Sequence, residues 1–170
     1  MAAGETRRET WFERNAWKVF TGVSLVSAVF GLGDMLIGGS TFGSGEVVLF
    51  SRLTGTTWGG LQAAHQGAAN LIDYQVRGGG AQLLMLGVLS LAICVTALRR
   101  GERWAWYAMW VWPLGVGLIV ALLWGAVHGR GTGIPIPIIS GSITVVISVT
   151  TLALSGRKYL RNALWGAVSL

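Results

Sequence analysis

Residues 81–98 read AQLLMLGVLSLAICVTAL, residues 99–103 read RRGER, and residues 104–127 read WAWYAMWVWPLGVGLIVALLWGAV. Each apolar run approaches or exceeds the roughly 20 residues a helix needs to cross the hydrocarbon core. The turn between them is too short for anything but antiparallel neighbours. Working outward, 17–37 and 134–154 are two further apolar runs of spanning length. The fourth holds the β-branched stretch Ile143, Thr144, Val145, Val146 and Ile147. In lipid an open strand edge leaves its backbone groups unsatisfied, so this run is expected to be helical. The 170-residue chain is 52% hydrophobic and 12% charged, half the charge of a typical soluble domain at about 25%. That excludes a soluble, a disordered and a collagen-like chain. The expected fold class is an all-α integral membrane protein, a single domain over 1–170. It is a four-transmembrane-helix bundle with a long structured outer loop at 38–80.

Charge sets the orientation. Ten of the 13 Lys and Arg sit in the N-terminal segment (Arg7, Arg8, Arg14, Lys18), the 99–103 turn (Arg99, Arg100, Arg103) and the C-terminal segment (Arg157, Lys158, Arg161). Only Arg52, Arg77 and Arg130 fall on the other side. Basic residues collect on the cytoplasmic side of short loops, so both termini are expected in the cytoplasm and the protein in the cell inner membrane. The net charge of +6 is then an orientation signal, and a nucleic-acid partner is not needed to explain it. The first run is longer than a signal-peptide core and is followed by no A-x-A-like site, so it reads as an uncleaved span. Trp11, Trp17, Trp104, Trp106, Tyr107 and Trp110 form the inner aromatic belt, with Trp124 at the outer end.

Spans associate where small residues let backbones approach. Ser24, Ser27, Ala28 and Gly31 in the first span are expected to pack against a partner, another subunit or a second copy. Gly117, Ala121 and Gly125 form a stripe in the third span; Ser140, Thr144 and Ser148 form one in the fourth. Pro113 should kink the third span, while Pro135 and Pro137 fit the first turn of the fourth. In the outer loop, Trp58, Leu61, His65, Ala68 and Ile72 share one helical face, with Thr57 as N-cap. This predicts one or two short surface helices, and the run Gly78–Gly79–Gly80 then reads as a hinge or a point of close packing.

No catalytic motif is present and no metal site is expected; the single Cys94 reads as a packed core residue. The candidate polar cluster is on the outer side: Asp34, His65, Asp73, Arg77, His128 and Arg130, with Glu46 and Arg52 nearby. Asp34, inside a span end, is expected to pair with Arg77 or Arg130 and pin the loop to the bundle. His65 and His128 are the only histidines available to a haem; haem, a chlorophyll-type pigment and a quinone stay open, and no cofactor is predicted. Arg99, Arg100, Arg103, Trp104 and Trp106 are candidates for contact with anionic lipid headgroups.

RRGERWAWYAMW at 99–110, followed by Pro113, resembles uncharacterised bacterial four-helix membrane proteins of the DoxX-like group, over roughly residues 70–127. The resemblance implies a four-helix bundle of bacterial origin and carries no catalytic residue. Three functions fit the residues: a non-catalytic accessory or scaffolding subunit of a larger membrane complex, a small redox or quinone-linked or pigment-associated protein, and a small transporter. The first is preferred, because small residues line several helices and no ligand constellation stands out.

Overall fold

The computed structural model describes residues 9–39, 55–128 and 136–166. The expectations for Arg130, Glu46 and Arg52, the loop through Gly45, the 129–133 turn and Pro135 lie outside the described residues. Every regular element among the described residues is helical. They are α1 (Trp11–Ile37), α2 (Trp58–Ala64), α3 (Gln66–Ile93), a π-bulge (Cys94–Leu98), α4 (Arg103–Ala108), α5 (Val111–Val127) and α6 (Ile136–Gly166). Four stretches are long and apolar enough to cross a membrane: Trp11–Ile37, Gln66–Leu98, Arg103–Ala126 and Ile138–Leu160. The protein is a multi-pass helical membrane protein by this measure.

Local chemistry sets the helix ends. Thr10 and Glu13 close a capping box on α1: the Thr10 amide donates to Glu13 Oε2 at 2.6 Å and the Glu13 amide to Thr10 Oγ1 at 3.3 Å. Thr57 caps α2 as expected, accepting from the Gly60 amide at 3.1 Å. Pro113 acts more sharply than a kink. Lacking an amide, it cannot bond the Met109 carbonyl. That carbonyl instead accepts from the Trp112 amide at 3.2 Å, and the third span breaks into α4 and α5 across Met109 and Trp110.

The second span departs from expectation. It begins at Gln66, well inside the stretch read as loop, and runs through Gly78–Gly80 without a break. Tertiary packing explains this. Gly80 and Gly87 lie against α1, and that contact outweighs the weak helix propensity of a glycine run.

α1 packs against α3 over its length and against α6; α5 packs on α6; among the described residues α3 and α5 make at most marginal contact. The bundle is therefore consolidated at the end carrying the 99–103 turn, hereafter the basic end, and opens toward the other. Its core holds Phe20, Cys94, Leu98, Trp106, Met109, Trp112, Leu152 and Tyr159. Cys94 is fully buried with its thiol 3.6 Å from the Met109 sulfur, in keeping with a packed core residue. Toward the far end a small separate cluster of Ile138, Val120 and Leu123 joins α5 to α6, and Ala69 and Val76 of α3 are buried.

Candidate functional site

At the far end the expected Asp34–Arg77 pair does not form. Arg77 pairs with Asp73, one helical turn earlier on α3, through Nε at 2.7 Å. Spacing decides it, since residues four apart on a helix face each other. The pair then reaches across to α1. Arg77 donates to the carbonyls of Met35 (3.1 Å), Leu36 (2.9 Å) and Ile37 (3.4 Å), while Asp73 accepts from the Gly39 amide at 2.8 Å. The last carbonyls of a helix have no partner of their own, so α3 caps α1 from outside. Between them Gly38 has φ 66°, and a side chain there would strike the Asp73 carboxylate. Asp34 is instead half-buried against Gly80 and makes no ion pair with a described residue.

The Trp58 ring lies over Gly39, its indole N–H buried without a partner among the described residues. His65 falls at the break between α2 and α3 and is exposed, off the face on which its spacing placed it. The single helical face expected over Trp58–Ile72 is interrupted at His65, whose backbone (φ −147°, ψ 71°) leaves the helix, and Ala68 beyond the break is exposed as well. His128 is exposed at the end of α5, stacked near Trp124 with ring centroids 5.5 Å apart. Among the described residues the two histidines sit on elements that make at most marginal contact. Among the described residues no group of three His, Cys, Asp or Glu is placed to hold a metal ion.

Between α5 and α6, toward the far end, runs a groove of about 710 Å³. Gly117, Val120, Ala121, Ile138, Ile143 and Val146 line it and Trp124 stands at its mouth. From Ile138 to Val146 it extends about 12 Å along the helix at 1.5 Å per residue, close to one leaflet of hydrocarbon at about 15 Å. The sequence stripe of Gly117 and Ala121 thus becomes a groove wall instead of a tight seam. The tight contact of this helix pair is at Gly141, where a Cβ would meet Val120 Cγ2 at 2.5 Å.

Ser24, Ala28 and Gly31, expected to meet a partner, are buried inside the chain. A Cβ on Gly31 would strike the Leu84 amide, and one on Gly87 would come within 2.7 Å of the Ala28 amide. They form the α1–α3 seam. Ser27 lies beside it, its hydroxyl donating back to the Val23 carbonyl at 2.9 Å. The exposed face of α1 is bulky and apolar, with Leu25, Val26, Val29 and Leu36. The sequence showed a close-approach surface; the facing glycines of α3 were needed to show whose.

At the basic end the aromatic and arginine residues divide. Trp106 is 8% exposed and its indole N–H donates to the Leu152 carbonyl at 3.2 Å, so it belongs to the core and not to a headgroup surface. The break after Ala108 turns this side chain into the bundle. Tyr159 does the same from α6, donating to the Leu98 carbonyl at 3.2 Å. Trp104 stays exposed and donates to Glu102. Arg103 folds on Tyr107, with Nη2 3.1 Å from the hydroxyl. Arg99 stacks over Trp17 and Arg100 is exposed.

Neutral hydroxyls make up most of the remaining buried polarity: Ser24, Ser90, Ser148, Thr151 and Ser155. No protein-family model matches the chain, and no curated protein or solved structure shows significant similarity to it.

Proposed function

We propose that the chain is a non-catalytic accessory subunit of a larger assembly in a bacterial inner membrane, with both termini in the cytoplasm. The observation that supports it is a set of glycines that face outward from the spans. Gly22 in α1, Gly78 and Gly79 in α3, and Gly115 and Gly125 in α5 have no atom within 4 Å of a built Cβ. A glycine costs a helix about 1 kcal/mol relative to alanine. Inside a span, close approach of another helix is what makes up that loss. Gly31, Gly80 and Gly87 meet that partner within the chain; these five do not. Ten basic residues on one side favour the cytoplasmic placement of both ends, and the DoxX-like resemblance favours the bacterial source.

The test is particle mass in mild detergent or nanodiscs. The native particle is expected to exceed the 18.1 kDa chain, and Gly115→Leu combined with Gly125→Leu should shift it toward that mass. A monomer in native extracts, with both substitutions tolerated, would overturn the reading. Orientation is checked separately by thiol labelling of intact cells. Cysteine at Gln62 should react with an impermeant reagent and cysteine at Arg100 should not; both positions are exposed, and the native Cys94 is buried and silent. The reverse pattern would invert the topology.

A second reading, a small quinone-linked protein, is favoured by the apolar α5–α6 groove, which Trp124 helps to line. That shape suits an amphiphile with a long apolar tail.

A further inference from the structure

We propose that Lys18 and Arg99, held on opposite sides of the chain's folding but over one indole ring, form a binding site for the phosphodiester of an anionic phospholipid. The inference does not depend on the subunit reading. Lys18 Nζ lies 5.7 Å from the centroid of Trp17, and Arg99 Cζ lies 5.3 Å from the same ring. Lys18 comes from α1, and Arg99 from the turn that ends the second span. The placement of Arg99 beside Trp17 follows a local irregularity. Over Cys94–Leu98 the helix takes up an extra residue, and the Arg99 amide bonds the Cys94 carbonyl, five positions back, at 3.0 Å. Such an insertion changes the direction of the side chains that follow, and π-bulges recur at functional positions.

Nothing acidic among the described residues balances the two charges. The described acids at this end have other partners. Glu13 closes the α1 capping box, Glu9 lies 3.8 Å from Lys158, and Glu102 accepts from Trp104. Arg14 is one turn before Lys18 on α1 and also exposed, a like-charged i,i+4 spacing that costs a helix stability. Arg100 adds a further exposed cation. Two cations beside one aromatic ring, with more beside them and no ion-pair partner for either among the described residues, are complementary to a phosphate. The location supplies the source. Trp17 starts a membrane-spanning run and stands where indoles sit among headgroups. Basic groups there attract anionic lipid by about 1 kcal/mol each. The structure also revises which residues take part. Trp106 is buried, Trp104 holds Glu102, and Arg103 is folded on Tyr107, which leaves Arg99 with Lys18 and Trp17 as the centre.

The experiment uses the full chain in detergent, titrated with phosphatidylglycerol or phosphatidylcholine and followed by native mass spectrometry. Phosphatidylglycerol is expected to bind preferentially. Lys18→Gln and Arg99→Gln should each weaken it about fivefold, and the double variant should abolish the preference. Arg99→Lys should stay within about twofold of the native chain, and Arg157→Gln, on the same rim, should have no effect. The substituted side chains are exposed, and a circular dichroism melt verifies that each variant is folded. Equal binding of the two lipids, or equal losses in the Arg157 and Arg99 variants, would overturn the site. Inorganic phosphate at millimolar concentration should not displace the lipid; displacement would mean a free-anion site and would overturn the lipid assignment.

Discussion

Gly80→Ala is expected to destabilise the folded bundle by about 3 kcal/mol or more, while Gly79→Ala, its neighbour, leaves it unchanged or slightly more stable. The two glycines share a helix and a sequence context, so propensity treats them alike. Packing does not. A Cβ at Gly80 would stand 2.5 Å from the Met35 amide and 2.7 Å from the Gly31 carbonyl, both backbone atoms that cannot move aside as a side-chain end would. At Gly79 the same Cβ meets open space. Overpacking a tight contact typically costs 1–3 kcal/mol, and more where backbones must separate. Replacing an unconstrained helical glycine by alanine returns up to about 1 kcal/mol. Gly87→Ala should behave like Gly80→Ala, because its Cβ would lie 2.7–2.9 Å from Ala28. Equilibrium unfolding of the isolated chain in mixed micelles, away from any partner at Gly79, measures all three. Equal effects at Gly79 and Gly80 would mean that α1 and α3 are not packed as described.

This contrast marks what was legible in the chain. The four spans were readable because length and apolarity alone decide whether a helix can cross a membrane. The start of the second span was not. A glycine triplet in isolation reads as a hinge or as a point of close packing, and the facing Gly31 and Asp34 show that Gly80 is a contact point. Ser24, Ala28 and Gly31 announced a close-approach surface. Ser24 and Gly31 stand seven apart on α1, as Gly80 and Gly87 do on α3, a matching repeat that could have identified the partner within the chain. The Thr10-x-x-Glu13 spacing carries the capping-box signature of the α1 start in the sequence itself. The polar cluster divided in the same way. Asp73 and Arg77 were named as candidates, and their i,i+4 spacing favoured them over Asp34 as a pair; the carbonyls of α1 as Arg77's other targets carried no sequence signal. Trp106 read as a rim aromatic because the break at Met109 and Trp110, set by Pro113, redirects it inward. Which elements the histidines share, and that the groove lies between α5 and α6, follow from helix order around the bundle. Local pattern does not encode that order.

Arg77→Met is expected to cost about 2 kcal/mol, about twice the most that its ion pair with Asp73 would suggest. The side chains of that pair are 43% and 32% exposed, and a solvent-exposed pair is worth at most about 1 kcal/mol. If charge attraction were the whole contribution, 1 M salt would remove most of it. The hydrogen bonds argue otherwise. One guanidinium serves three carbonyls at the end of α1, at 2.9–3.4 Å, and without it those acceptors lose a charged donor. Hydrogen bonds to a charged group contribute about 1.5–3 kcal/mol. Arg77→Lys keeps the charge but replaces a planar fork with a single ammonium, which cannot face Asp73 and three carbonyls together. It should therefore recover less than half of the loss. Asp73→Ala should remove the acceptor for the Gly39 amide and loosen Arg77 as well, so the double variant should cost less than the sum of the single ones. Asp34→Asn should be additive with Arg77→Met, since no ion pair links the two. Unfolding measured at low salt and in 1 M salt separates the two accounts. A loss for Arg77→Met below about 0.5 kcal/mol, or one that vanishes in high salt, would reduce the contact to an ordinary surface pair, and the Gly38–Gly39 turn would then need another restraint to close α1.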